Sequence, residues 1–364
     1  MRGIARGMRF RLATMLFAGG CAAGDGTTPT DKDTADNSAD TAEDTPLQTR
    51  LGICDAFDVD TIEGVDSLAG ADAELDEIHD LGLGIVRAHR PGGGVFSMSL
   101  VHPPEATTDD WTLPDTLVAS MNVSETPLIA TAYSYTDVGP FKGQVMVGYV
   151  VPEGMTDWLA FVGRMVERYD GDGVDDMPGL TMPIAAWEIG NEPMCPPEDD
   201  VCPAAYIAFE KPTYDAMKAA SPDTTVMIAG AAPAFNADGA LDAGATSIYS
   251  AFFSDDGGTY TDVLSFHVAV GVAEPPVTTY LDWWKATAPD TPLWIGESGT
   301  RSPEDRFVIS DDPEIEAAWY QGFLDDAYAD GAERVLWCRA GHAIDAVPEV
   351  WSVIHDYAAD LSET

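Results

Sequence analysis

Eight short apolar runs alternate with stretches of helical periodicity along this chain of 364 residues, and this limits its folds most. The runs are Leu51–Phe57, Leu83–His89, Pro127–Tyr133, Pro183–Gly190, Thr225–Gly230, Val263–Val270, Pro292–Glu297 and Arg334–Arg339. Gly, Pro, Asp or Asn bounds each one, as strand ends require. The stretches between and after them predict helices over 66–80, 114–121, 155–169, 204–220, 241–254, 277–288, 312–330 and 345–359. In the third, Trp158, Leu159, Phe161, Val162, Met165, Val166 and Tyr169 share one helical face. Ser221-Pro222 and Ala288-Pro289 close two of these helices. Eight alternating βα units predict an α/β fold, a single (β/α)8 TIM barrel spanning residues 47–364. A doubly wound open sheet is the alternative, but no Gly-rich dinucleotide turn follows an early strand.

Charge narrows the function classes. The chain holds 62 Asp+Glu against 18 Lys+Arg, a formal net charge of −44. The first 46 residues carry only seven of those acids and five of the bases, so residues 47–364 keep 55 acids and 13 bases, or −42. The acidity therefore belongs to the domain. Such a surface repels phosphate, which excludes nucleic-acid binding through a basic face. It also opposes electrostatic attachment to anionic lipid. A neutral or cationic substrate is expected.

The first 20 residues read as an address. Arg2, Arg6, Arg9 and Arg11 precede a short apolar segment, Leu12–Ala18, too short to span a bilayer. Ala18-Gly19-Gly20-Cys21 then resembles a bacterial lipoprotein signal, which implies lipid attachment at Cys21 and export to the outer membrane or cell surface. Residues 21–46 are dominated by Thr, Asp, Ala, Gly and Pro, and this composition predicts a disordered acidic spacer. Four further cysteines fit an oxidising compartment. Cys195 and Cys202 bracket a Pro-rich acidic loop, which favours their pairing. Cys54 and Cys338 lie on the first and last strands, neighbours in a closed barrel, and geometry decides whether they pair.

Two strands end in glutamate. The fourth runs Ala185-Ala186-Trp187-Glu188-Ile189-Gly190-Asn191-Glu192-Pro193, and the seventh runs Leu293-Trp294-Ile295-Gly296-Glu297-Ser298-Gly299. A barrel of this kind places its chemistry at the C-terminal ends of its strands. A glutamate closing a buried strand must be paired, protonated or in use. Three tempting motifs fail. Gly92-Gly93-Gly94 lacks a phosphate-loop Lys, and Gly296–Thr300 is not a nucleophile elbow. Asp170–Asp176 looks like a calcium loop without its closing Glu, and a solvated turn is favoured there.

The Trp-Glu-x-x-Asn-Glu-Pro run resembles the signature of clan A glycoside hydrolases, TIM-barrel retaining enzymes similar to families 39, 5 and 51. The resemblance covers about residues 47–360. It implies that Glu192 is the acid/base and Glu297 the nucleophile, with a neutral glycan as substrate and no cofactor or metal. Glu192 would then need a pKa raised toward neutrality by burial and neighbouring charge. By the same resemblance Arg87 keeps Glu297 ionised, and Asn191 bonds the sugar 2-hydroxyl. Arg87-Ala88-His89 resembles the Arg-x-His of family 39, which adds His89 to the substrate-binding set. His267 matches a site histidine on the sixth strand. The tyrosine such families carry shortly afterwards is missing from His267-Val268-Ala269-Val270, and Tyr133 or Tyr135 is the candidate to take its place. Trp337 matches the sugar-stacking tryptophan of the eighth strand. A monomer is expected. The rival expectation is a non-catalytic glycan-binding surface lipoprotein on the same barrel.

Overall fold

The structure is a computed structural model that describes residues 50–54, 71–88, 94–103, 105–134, 154–193, 202–230, 243–270, 276–300, 313–338 and 348–363. The expected signal and spacer, with Cys21, lie outside the described residues, as do His89, Tyr135 and Cys195.

The strands are β1 (Leu51–Cys54), β2 (Val86–Ala88), β3 (Leu128–Ala132), β4 (Ala186–Ile189), β5 (Val226–Ile228), β6 (Leu264–Val270), β7 (Leu293–Thr300) and β8 (Arg334–Cys338). The helices among the described residues are α1 (Ala71–Asp80), α2 (Met98–Val101), α3 (Thr112–Val123), α4 (Met155–Arg168), α5 (Cys202–Ala220), α6 (Ala243–Ser254), α7 (Val277–Thr287), α8 (Pro313–Ala329) and α9 (Pro348–Glu363). Every strand pairing is parallel, in the order β5-β4-β3-β2-β1-β8-β7-β6. β1 and β8 zip the first strand to the last, with Cys54 opposite Cys338. The remaining seam, between β5 and β6, is held by the Met227–Val263 bridge. Asp262 reinforces it by accepting from the Val226 amide at 2.8 Å. The result is a nearly closed (β/α)8 barrel. No described helix is long and apolar enough to cross a membrane.

Alternation along the strands separates two cores. Ile85, Ile129, Ala186, Met227, Val263, Trp294 and Leu336 fill the barrel interior together with Cys54 and Cys338. Gly52 leaves room for this layer, since a Cβ there would lie 2.4 Å from the Ile85 carbonyl oxygen. The outward residues meet the helices. Trp187 packs edge-on against Phe96, and Trp158, Phe161, Val162, Met165 and Val166 of α4 are buried as their spacing predicts. The Trp158 indole donates to Thr213 Oγ1 at 2.8 Å, which satisfies its buried polar group.

Cys54 and Cys338 form a disulfide. Cys202 is also disulfide-bonded.

Candidate active site

The site begins with Arg87, the barrel-facing residue after Ile85 on β2. Its side chain is fully buried, a position a guanidinium holds only when its donors are taken up. Three acceptors take them. Nε donates to Glu188 Oε2 at 2.8 Å, Nη1 to Glu297 Oε1 at 2.7 Å and Nη2 to Asn191 Oδ1 at 2.7 Å. Nη2 also lies 2.6 Å from Glu188 Oε2. Glu188 itself accepts from Thr131 Oγ1 at 2.9 Å and from the Gly230 amide at 3.1 Å. One cation thus fixes the second, fourth and seventh strands to each other at the C-terminal end of the barrel.

Glu192 reaches the same place by a turn. Gly190 has φ +78° and Glu192 φ +42°, the left-handed region that a side-chain-bearing residue occupies at a cost of about 1–3 kcal/mol. The turn is fastened by the Gly190 amide donating to Ala132 O at 3.0 Å and the Glu192 amide donating to Gly230 O at 2.9 Å. Strained backbone of this kind clusters at functional sites.

Glu297 is aimed by a β-bulge. On β7, Trp294 faces the interior and Ile295 the helices. Strict alternation would turn Gly296 inward and Glu297 outward. Instead Phe266 pairs with Ile295 and the next residue, His267, pairs with Glu297, so Gly296 is an extra residue in the ladder. The insertion reverses the parity and swings Glu297 into the barrel mouth. Gly296 suits the position, because a Cβ there would stand 2.4 Å from Ser265 Oγ and force that hydroxyl to shift.

His267 bridges the two acids. Its Nδ1 is 3.0 Å from Glu192 Oε1 and 3.5 Å from Glu297 Oε1. Burial pulls its pKa down, but the Glu297 charge and the hydrogen bond to Glu192 outweigh that and hold it above the usual imidazole range. Donor atoms of Glu192, His267 and Glu297 all lie within 4.8 Å of one another, so the trio could also ligate a metal. Cys54, Cys338 and Glu297 form a second such group, and Asp170, Asp172 and Asp176 a third. In that last loop the amides of Gly171, Gly173 and Val174 are taken up by Asp176 and Asp172 carboxylates.

Among the expected site residues, Arg87, Asn191, Glu192, His267 and Glu297 come together. Tyr133 is buried at the end of β3, on the barrel-facing parity of Ile129 and Thr131. His89 lies outside the described residues. Trp337 corrects the expectation of a sugar platform. Its neighbours Leu336 and Cys338 face the interior, so its ring points to the helices and packs edge-on against Tyr320 and Trp351. Sequence reasoning gave Glu188 no role. Its signal was a carboxylate two residues after Ala186, on the inward parity of an otherwise apolar strand.

No family model matches this sequence, and no curated protein matches it. Solved structures do match. An endo-1,4-β-mannanase from Rhizomucor miehei is 15% identical, covers 87% of this chain and 95% of its own, and gives a TM-score of 0.60. An endo-β-1,4-mannanase from Thermotoga petrophila is 15% identical over 86% of this chain and 77% of its own, with a TM-score of 0.57. A family 39 glycoside hydrolase from Bacteroides cellulosilyticus is 15% identical over 87% of this chain, with a TM-score of 0.54. This chain spans 63% of that protein's length. At such identities the likeness is one of fold, a (β/α)8 barrel shared with these glycoside hydrolases.

Proposed function

We propose that this chain is a retaining glycoside hydrolase, with Glu192 as acid/base and Glu297 as nucleophile. The observation that carries the reading is the spacing of the two acids, whose carboxylate oxygens come within 4.8 Å at the mouth of the barrel. Double displacement needs carboxyls roughly 5–5.5 Å apart, whereas inversion needs about 6.5–9.5 Å to admit a water.

The surrounding residues assign the steps. Arg87 orients Glu297 by a hydrogen bond to Oε1 and sets a positive charge against it, and the Glu297 carboxylate attacks the anomeric carbon. His267 donates Nδ1–H to Glu192 Oε1, so the acidic proton sits on Oε2 and passes to the leaving glycosidic oxygen. Forming the glycosyl ester removes the Glu297 charge. The field that favoured protonated Glu192 then weakens, and Glu192 becomes the base that takes a proton from water. Attack of that water on the anomeric carbon releases Glu297. Asn191, held by Arg87, presents its amide to the sugar 2-hydroxyl.

A 2-fluoro glycoside inactivator tests the assignment. It should label Glu297 covalently, and peptide mass spectrometry locates the adduct. Labelling elsewhere, with Glu297→Gln fully active, overturns it. Glycan affinity without turnover would point to the non-catalytic surface lipoprotein instead. Export and lipid attachment at Cys21 complete the proposal, and Cys21→Ser should release the protein from the membrane fraction.

A further inference from the structure

The disulfide lies against the catalytic machinery. Cys54 and Cys338 end β1 and β8 at the same end of the barrel as the two acids, and both side chains face the interior. Their Sγ atoms and a Glu297 carboxylate oxygen all fall within 4.8 Å of one another. As a disulfide the sulfurs are poor ligands, because a metal needs thiolates. We propose that reduction of Cys54–Cys338 converts this corner of the mouth into a site for a thiophilic divalent cation, ligated by both thiolates and Glu297.

The chemistry fits on three counts. Two thiolates and one carboxylate are a ligand set for Zn²⁺ or Cd²⁺, leaving the fourth tetrahedral position open toward the mouth. The strands hold the sulfurs together whether or not they are bonded, since Cys54 and Cys338 are register partners with Cα atoms 4.6 Å apart. Charge also balances. Three anionic ligands around a divalent cation leave one negative charge, and Arg87 lies 2.7 Å from Glu297 to face it. The steps conserve atoms and electrons. A phosphine reductant takes two electrons' worth of oxidation, becoming its oxide with an oxygen from water, and the disulfide becomes two thiols. The cation then displaces two protons as it binds the thiolates.

Cd²⁺ titration of the phosphine-reduced, desalted full-length protein tests this directly. Cys21, Cys195 and Cys202 are replaced by Ser so that only the barrel pair responds, and circular dichroism confirms the fold. One equivalent of Cd²⁺ should produce a thiolate-to-cadmium charge-transfer band with release of about two protons. Glu297→Gln should weaken binding by at least tenfold, and the oxidised protein should show no band. If the triple variant does not fold, the reduced parent is compared with Cys54→Ser and Cys338→Ser, each of which should lose one cadmium equivalent. A folded, thiol-titrated protein without the band overturns the proposal, as does a band indifferent to Glu297→Gln. None of these readouts depends on glycosidase activity.

Discussion

Gly296→Ala tests the device that aims Glu297. The added Cβ would stand 2.4 Å from Ser265 Oγ, whereas ordinary contact begins at 3.4 Å, so something must move by about 1 Å. The next atoms, in His267, lie at 3.5 and 3.6 Å and need not yield. Overpacking of this kind costs about 1–3 kcal/mol, or roughly 1.5–4.5 °C in melting temperature for a domain of this size. A displacement of about 1 Å at the neighbouring nucleophile costs on the order of 10²-fold in rate. Ser265 supplies the control. Its buried Oγ has no hydrogen-bond partner among the described residues, so Ser265→Ala alone should be neutral or slightly stabilising. In the double variant the obstructing oxygen is gone, and both stability and rate should return. Thermal unfolding gives the stability cycle, and turnover of an aryl glycoside gives the rate. Gly296→Ala behaving as parent would refute the bulge argument. So would a double variant as damaged as the single one, because the clash would then lie elsewhere.

Three further outcomes follow from buried charge. Arg87→Met leaves Glu188 without its cation and should cost about 3–5 kcal/mol in a denaturant melt, with Arg87→Met/Glu188→Gln less damaged than the single variant. Glu210 on α5 is fully buried, and desolvation, together with the charge of Glu188, raises its pKa well above 4.5 against the opposing influence of the Tyr206 hydroxyl. Stability should therefore fall as pH rises above about 4.5 toward the folded-state value, and Glu210→Gln should flatten that part of a melting-temperature profile. His267 has a raised pKa, so its contribution is complete below 6.5 and is lost as pH climbs through the folded-state value. His267→Gln should remove this second decline while sparing the first.

The barrel was legible because each strand is an apolar run with punctuated ends, and the acids were legible because they close two of those runs. What aims the side chains was not. Arg334-Val335-Leu336-Trp337-Cys338 is apolar on both faces, as a strand buried on both sides must be. Nothing in that run says whether Trp337 or Cys338 looks inward, and Trp337 fell on the wrong side. The bulge at Gly296 is likewise a property of two strands, since an extra residue exists only relative to a partner's register. Glu188 was hidden for another reason. Its role is set by Arg87, which lies 101 residues away, and by Thr131 and Gly230.

The Cys54–Cys338 bond also changes what the denatured protein is. With its ends separated by 284 positions in sequence, the bond makes the unfolded chain a ring bearing two tails rather than a free coil. In the chain-entropy description such closure lowers the disorder available to the denatured state by roughly 5.6 kcal/mol at room temperature. Arg87, Glu188, Glu192, His267 and Glu297 all lie inside the ring, so a single proteolytic cut there opens a loop without releasing a fragment. A nicked molecule would keep every catalytic group on one covalent body and could reassemble its mouth by an intramolecular search.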